Sequence, residues 1–325
     1  MALVLTLLAI SFMIAVTVQL FTSVNWQMQA AVNLKDSVRL DALTRSGLSL
    51  IRAALRADAK KNQYDSVHDD WNAFDAEKLS SLFGGNQLSI SVTDLSGKIQ
   101  VNALVTKSSN PQQANQQIQE QKNLWVRFLT SQYFEVETDD AEIIVDSIID
   151  WIDENDAAHA KGEESGFYQS MDPPYTARNA PMVYLEELLF IQGMTNELFY
   201  GNEEHAGIKD YLTVLGDTGE ININTAQEPV LLALAPGMDE AMVKSIIEFR
   251  EDEEHEPSLG TVDWLQNVPG VAGFATPNPS LLTVSSNYFQ VTSTATVNEI
   301  SRQGTGILQR LQSQKGEKLL KWEVR

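Results

Sequence analysis

Asp153, Asn155 and Glu164 stand at positions 1, 3 and 12 of an acidic stretch. That is the spacing at which a loop wraps a calcium ion with oxygen donors and closes it with a two-oxygen glutamate. The pattern is incomplete: position 5 is Ala157, position 6 is Ala158 rather than glycine, and no amphipathic helix follows. Asp150, Glu154, Asp156 and Glu163 crowd the same stretch, and a hard dication relieves repulsion of that kind in an ordered loop. Spacing alone leaves two readings open, a calcium loop and a hydrated acidic loop. Nothing favours zinc, because His68, His159, His205 and His255 form no HxxxH or HExxH pair and the chain has no cysteine.

The acidity is local. The 325 residues carry 23 Lys+Arg against 44 Asp+Glu, a net charge of −21, yet no ionisable side chain precedes Lys35. Between Glu135 and Asp172, thirteen acids face only Lys161. A chain so negative is repelled by phosphate backbones and anionic head groups, which argues against generic nucleic-acid binding. The helical part of the run, Glu137 to Asp146, reads as a solvated face. No GxSxG, P-loop or GxGxxG motif is present, so no catalytic constellation emerges.

The elements that must position the acidic loop begin with Ala2 to Phe21, about twenty apolar residues broken only by Thr6, Ser11, Thr17 and Gln19. At 1.5 Å per residue they cross a hydrocarbon core of roughly 30 Å. A cleavable secretory signal would need a basic start, a shorter apolar run and a small-residue cleavage site, so a retained membrane helix is expected. Val38, Leu40, Leu43, Leu48, Ile51 and Leu55 then recur at helical spacing, and the first glycine is Gly47. One long helix to about residue 58 is predicted, with its outer half covering a sheet.

Two places supply strands. Gln87 to Asp94 and Lys98 to Leu104 alternate around Ser96-Gly97 and read as a β-hairpin. Asn287 to Val297, Gly306 to Gln312 and Lys318 to Val324 read as an antiparallel meander, with turns at Gln303-Gly304 and Lys315-Gly316. Between them lie helical periods at 110–129, 139–152, 183–192 and 228–235, entered through Lys107 to Pro111 and left through Thr276 to Ser280. The predicted division is a transmembrane helix 1–24, a first part of a helix-and-sheet core 25–106, an inserted α-domain 107–283, and the rest of the core 284–325.

Residues 221–250 resemble a helix-hairpin-helix module: Asn222 to Thr225 as a turn and cap, a helix from Glu228, Pro236-Gly237 as the tight turn, and a second helix from Asp239. Such modules hold DNA phosphates, but Asp239, Glu240, Glu248 and Glu251 to Glu254 surround this turn, opposed only by Lys244 and Arg250. Packing by Val230, Leu231, Leu234, Met238, Met242, Val243 and Ile246 is the stronger reading.

The order MALVLTLLAI, GKIQVNAL, SIIDWIDEND, GEESGFYQSMDPPYTARNAPMVYLEELLFIQGM, GEININTAQEPVLLALAPGM and SNYFQVTSTATV resembles the type II secretion system protein K family of minor pseudopilins, along nearly the whole chain. The resemblance implies an α+β, type IV pilin-like fold: a long N-terminal membrane helix packed on an antiparallel sheet, with a large inserted α-helical domain containing the helix-hairpin-helix-like motif. It implies a single-pass bacterial inner-membrane protein with its bulk in the periplasm, at the tip of the pseudopilus. There it would contact other minor pseudopilins, with the secretin or an exoprotein as a further contact, and no nucleic acid. In this function it would initiate or cap the fibre that exports folded proteins.

It further implies calcium in the α-domain, on Asp153, Asn155 or Asp156, Glu164 after Gly162, and Asn179 before Ala180-Pro181. Pilin-like precursors are cut after a glycine and methylated on the new terminus. Neither a basic leader nor such a glycine stands here, so the numbering is expected to start at the mature Met1. Most pseudopilins carry a glutamate at mature position five, where this chain has Leu5, which fits a subunit with nothing above it in the fibre. A membrane-anchored DNA-uptake protein and a calcium-dependent hydrolase are the alternatives from other classes.

Overall fold

The computed structural model describes residues 1–74, 79, 87–105, 110–203, 205–271, 277–298, 300–311 and 316–325. The expected loop chemistry at 107–109, at Thr276 and at Lys315 lies outside these residues.

Helix α1 (Ala2–Lys61) is unbroken over 60 residues, about 90 Å at 1.5 Å per residue. Its residues up to Lys35 are exposed throughout, and a window within them has a mean hydropathy of 2.4, long and apolar enough to cross a membrane. Burial starts at Asp36 and then recurs at Leu40, Leu43, Thr44, Gly47, Leu48, Ile51, Leu55 and Asp58. That three-and-four spacing makes one apolar stripe.

The stripe lies on a four-stranded antiparallel sheet of order β1-β6-β7-β8, built from β1 (Gln87–Asp94), β6 (Tyr288–Val297), β7 (Ile300–Leu311) and β8 (Gly316–Val324). Leu88, Ile90, Phe289, Val291, Ala295 and Leu308 complete this core. The helix meets the sheet closely at two glycines. A Cβ on Gly47 would lie 2.1 Å from Ser293 Oγ, and one on Gly304 would lie 2.5 Å from Thr44 Cγ2 and 2.3 Å from the Trp322 ring. Gly304 therefore serves packing inside β7, where it pairs with Ser293, and the turn expected at Gln303-Gly304 is not formed. The strand instead reverses near Asn298, whose φ is 55°, a left-handed conformation that asparagine tolerates. At the sheet edge, Glu317 accepts from Arg52 Nε and Arg56 Nε, each at 2.7 Å, which fastens β8 to the helix.

The expected β-hairpin is also replaced. Among the described residues β1 pairs only with β6, and its supposed partner becomes the two-residue strand β2 (Ile99–Gln100) followed by a 3₁₀ turn, Val101–Leu104. The cause is burial: Ile99, Val101 and Leu104 are completely buried in a second core, so the chain has already left the sheet at the Leu95–Lys98 turn.

That second core belongs to the helical unit inserted between β1 and β6. Helix α2 (Pro111–Leu129), capped by Asn110, packs through Leu124, Trp125 and Phe128 on α3 (Thr138–Ile152). Short helices α4 (Ser165–Tyr168) and α5 (Asn196–Tyr200) follow, while 185–190, within the helix expected over 183–192, is a 3₁₀ turn. Two parallel ladders of two residues each close the unit: β2 with β3 (Leu212–Thr213), and β4 (Ile221–Asn222) with β5 (Leu282–Thr283). Between β4 and β5 lie α6 (Glu228–Ala233), the Gly237 turn with φ 83°, and α7 (Glu240–Glu251), whose cap Asp239 accepts from the Met242 N–H. The helix-hairpin-helix-like pair is thus formed.

Candidate functional site

Helix α3 ends in acids and has no basic residue in its last turn. Carbonyl groups already make a helix C-terminus partly negative, so Asp150 and Asp153 there are unfavourable unless a cation answers them. Asp150 is fully buried and Asp153 is 7% exposed. Asp150 Oδ1 lies 2.5 Å from His159 Nδ1, and its carboxylate accepts from the His159 N–H at 3.1 Å. Ligand atoms of Asp150, Asp153 and His159 come within 4.8 Å of one another.

The chain beyond the helix returns to the same place. Asp153 Oδ1 accepts from the Asn155 N–H at 3.0 Å, and Asn155 Oδ1 from the Ala157 N–H at 2.9 Å, which shapes the loop. The return needs a glycine at 162, because a Cβ there would lie 2.0 Å from Asp150 Oδ2 and 2.9 Å from the Asp146 carbonyl. Asp146 itself is neutralised by Lys122 Nζ at 2.6 Å and accepts from the Lys161 N–H.

Glu164 follows. It is 7% exposed, and both its carboxylate oxygens are buried without a hydrogen-bond partner. Burial pushes its pKa up to about 7, and the charges of Asp150, Asp153 and Asp156 add to the rise. Burial raises Asp150 too, partly offset by His159. Asn179 arrives from a third segment in a left-handed conformation, φ 48°, with its N–H donating to the Trp151 carbonyl at 2.9 Å. Its Nδ2 donates to Asp156 Oδ1 at 2.9 Å and to the Asn155 carbonyl at 3.4 Å, which leaves its buried Oδ1 unpartnered.

Two orphaned oxygens thus belong to Glu164, within electrostatic reach of Asp150, Asp153 and Asp156, and a third to Asn179, whose Nδ2 holds Asp156. Buried acceptors without donors cost about 1–3 kcal/mol each, more when charged. Carboxylates and a carboxamide form a hard oxygen set, which a cation such as calcium satisfies and a softer metal does not prefer. Of the residues read from the sequence, Asp153 shares the close cluster with Asp150 and His159, Glu164 lies within electrostatic reach of Asp153 and Asp156, Asn179 Nδ2 holds Asp156, and the Asn155 carboxamide is engaged by its own loop. Asp150 and His159 were not among them. Asp150 could have been found, since it is the last acid of α3, three residues before the capping Asp153; His159 has no local signal. A cavity of about 690 Å³ borders Asp153, Asn155 and His159.

A second acidic group, Asp58, Asp65 and Asp69, is fully internal and already answered by protein donors. Arg310 holds Asp58 and Asp65, while the Ser66 N–H and Trp71 Nε1 donate to Asp69. Around it runs the joint between the two cores. Asn222, completely buried, donates to the Asp65 carbonyl, Asp94 Oδ2 and Ser286 Oγ. Asn224 donates to the carbonyls of Asp65 and Leu259 and accepts from Trp264 Nε1. The residues read as a turn and cap thus lock the inserted unit to the sheet.

Comparison with known proteins places these features in a family. Two models described as "Type II secretion system (T2SS), protein K" match residues 97–206 and 221–285, the segments that hold the acidic loop and the helix-hairpin-helix-like pair. The type II secretion system protein K of Aeromonas hydrophila is 28% identical over 177 residues, 51% of this chain and 49% of that protein. The Pectobacterium carotovorum protein K is 33% identical over 30% of this chain and 29% of its own. These matches span half or less of each relative, while the putative protein K of Escherichia coli K12 is 24% identical over 93% of this chain and 90% of its own. A solved structure, the GspK-GspI-GspJ complex from enterotoxigenic Escherichia coli, has a chain matching 90% of this one at a TM-score of 0.64 and 20% identity, covering 98% of that chain, which supports the pilin-like fold with its helical insertion. With both family models matching in order across the inserted unit, the chain belongs to the type II secretion system protein K family.

Proposed function

We propose that this chain is a minor pseudopilin of a type II secretion system, anchored in the bacterial inner membrane by residues 1–24. Its bulk lies in the periplasm, where it joins other minor pseudopilins at the tip of the pseudopilus and initiates or caps the fibre that exports folded proteins. The observation that carries this reading is α1, one rod that is wholly exposed and apolar at its start and becomes the packed spine of a pilin-like core without a break. The similar solved chain was captured in a complex of GspK, GspI and GspJ, which supports hetero-oligomeric partners here. A DNA-uptake role is not favoured, because acids rather than cations flank the Gly237 turn.

Removing residues 1–24 takes away no buried side chain, so the remainder should be soluble and folded. Mixed with the two pseudopilins that correspond to GspI and GspJ in its own system, it is expected to elute as one complex. Persistent elution as a monomer with every such partner would refute the tip assignment.

The acidic site fits a structural calcium ion held by Asp153, Asp156, Glu164 and Asn179, with Asp150 beside them. The ion would supply charge neutralisation and tie the end of α3 to the segments at 164 and 179. The orphaned Glu164 and Asn179 oxygens support this role.

A further inference from the structure

Tyr133 separates two cavities on the helical unit. Its hydroxyl donates to Glu228 Oε2 at 3.0 Å, and its ring lines both a cavity of about 670 Å³ beside the start of α3 and one of about 390 Å³ between α6 and α7. The two share one character. Val136, Ile143 and Leu198 contribute apolar surface to the first, and Leu232, Val243 and Ile247 to the second. Carboxylates line both: Glu135, Glu137, Asp140 and Glu197 on one side, and Glu228, Glu240 and Glu248 on the other.

Neighbouring acids are already spoken for, since Lys161 Nζ pairs with Asp139 and Glu142. Glu135, Glu137, Asp140 and Glu197 have no ion pair among the described residues. Lys244, 3.7 Å from Glu248, and His205 are the basic groups lining the two cavities. A helix-hairpin-helix pair surrounded this way repels phosphate and attracts ammonium and guanidinium groups.

We propose that this trough is a docking site for an extended segment of a partner protein in which Lys or Arg side chains alternate with apolar ones. The apolar side chains would fill the two cavities on either side of Tyr133 while the cations meet the rim acids. Charge complementarity of this kind sets partner choice and encounter rate. The proposal rests on the trough alone and stands whether or not the chain works at a fibre tip.

The test uses the full chain in zwitterionic lipid nanodiscs and a fluorescent peptide of alternating Lys and Leu, read by anisotropy at physiological salt. Two triple variants are compared, Glu135→Gln/Asp140→Asn/Glu197→Gln and Glu228→Gln/Glu240→Gln/Glu248→Gln. Each is expected to weaken binding about tenfold, whereas Glu253→Gln/Glu254→Gln, outside the trough, leaves it unchanged. Amide-exchange protection by the peptide on the wild-type chain is expected over 136–144 and 240–248. Equal weakening in the control variant, equal binding of a Lys/Ser peptide, or protection confined to other segments would overturn the proposal.

Discussion

Arg310 sets its Nη1 2.6 Å from Oδ1 of Asp65, a carboxylate with no exposed side-chain surface, and its Nη2 2.9 Å from Oδ2 of Asp58. The Phe289 ring lies beneath the guanidinium, 5.0 Å from its centroid. One side chain on β7 thus joins the end of α1, the loop beyond it and the sheet. Arg310→Met would strand two buried carboxylates, and breaking such a pair costs about 3–5 kcal/mol. Urea unfolding is expected to show a loss of that size; a loss below about 1 kcal/mol would show that the clasp is not a structural determinant.

The same clasp gives a pH dependence. Burial pushes Asp65 up to about 7 against the pull of Arg310, from an ordinary value of 3.8. The folded protein then keeps a proton that the unfolded chain releases, so this contribution is fully present below about pH 4 and is lost as the pH rises through 7. With calcium held saturating, the melting midpoint of the wild type relative to Asp65→Asn is expected to fall steadily across that range. A constant difference would mean that Arg310 keeps Asp65 ionised.

Calcium should act as a ligand of the folded state only. At a hundredfold excess over its dissociation constant it adds about 2.7 kcal/mol, which raises the melting midpoint by several degrees relative to protein in chelator. Glu164→Gln and Asn179→Ala are expected to remove that difference, and an unchanged wild-type midpoint would eliminate the site.

Gly162 offers a sharper probe of the same place. Gly162→Ala would drive a methyl into the Asp150 carboxylate, whereas Gly166→Ala meets nothing within 4 Å. Displacing a group that positions the ligands typically weakens metal affinity about 10–100-fold. Titration calorimetry should show that loss for Gly162→Ala and none for Gly166→Ala; equal affinities would show that Asp150 does not shape the site.

The readable parts of this sequence are those whose information is local. The stripe from Leu40 to Leu55 announces α1, alternation announces β6 and β8, and Asp153 with Glu164 announces an acidic loop. The misread parts depend on distant partners. Ile99 to Leu104 alternates like a strand, but its apolar side chains enter a core supplied by residues beyond 124. Gly304 looks like a turn until Thr44 and Trp322 close on it. Asn222 and Asn224 look like a cap because Asp65, Asp94 and Ser286 lie far away in sequence. In the acidic loop, Asp150 and His159 join only once the chain has turned back at Gly162.

The inserted unit leaves the sheet after Asp94 and returns at Tyr288, and Asp94 pairs directly with Phe289 across β1 and β6. To the sheet, everything from 95 to 287 is therefore the connecting loop of one β-hairpin. Closing a loop costs entropy that grows only with the logarithm of its length, and here the loop carries its own core. Residues could be gained or shed within that unit without moving a single rung of the β1–β6 ladder, so the inserted unit is free to diversify while the sheet keeps its register.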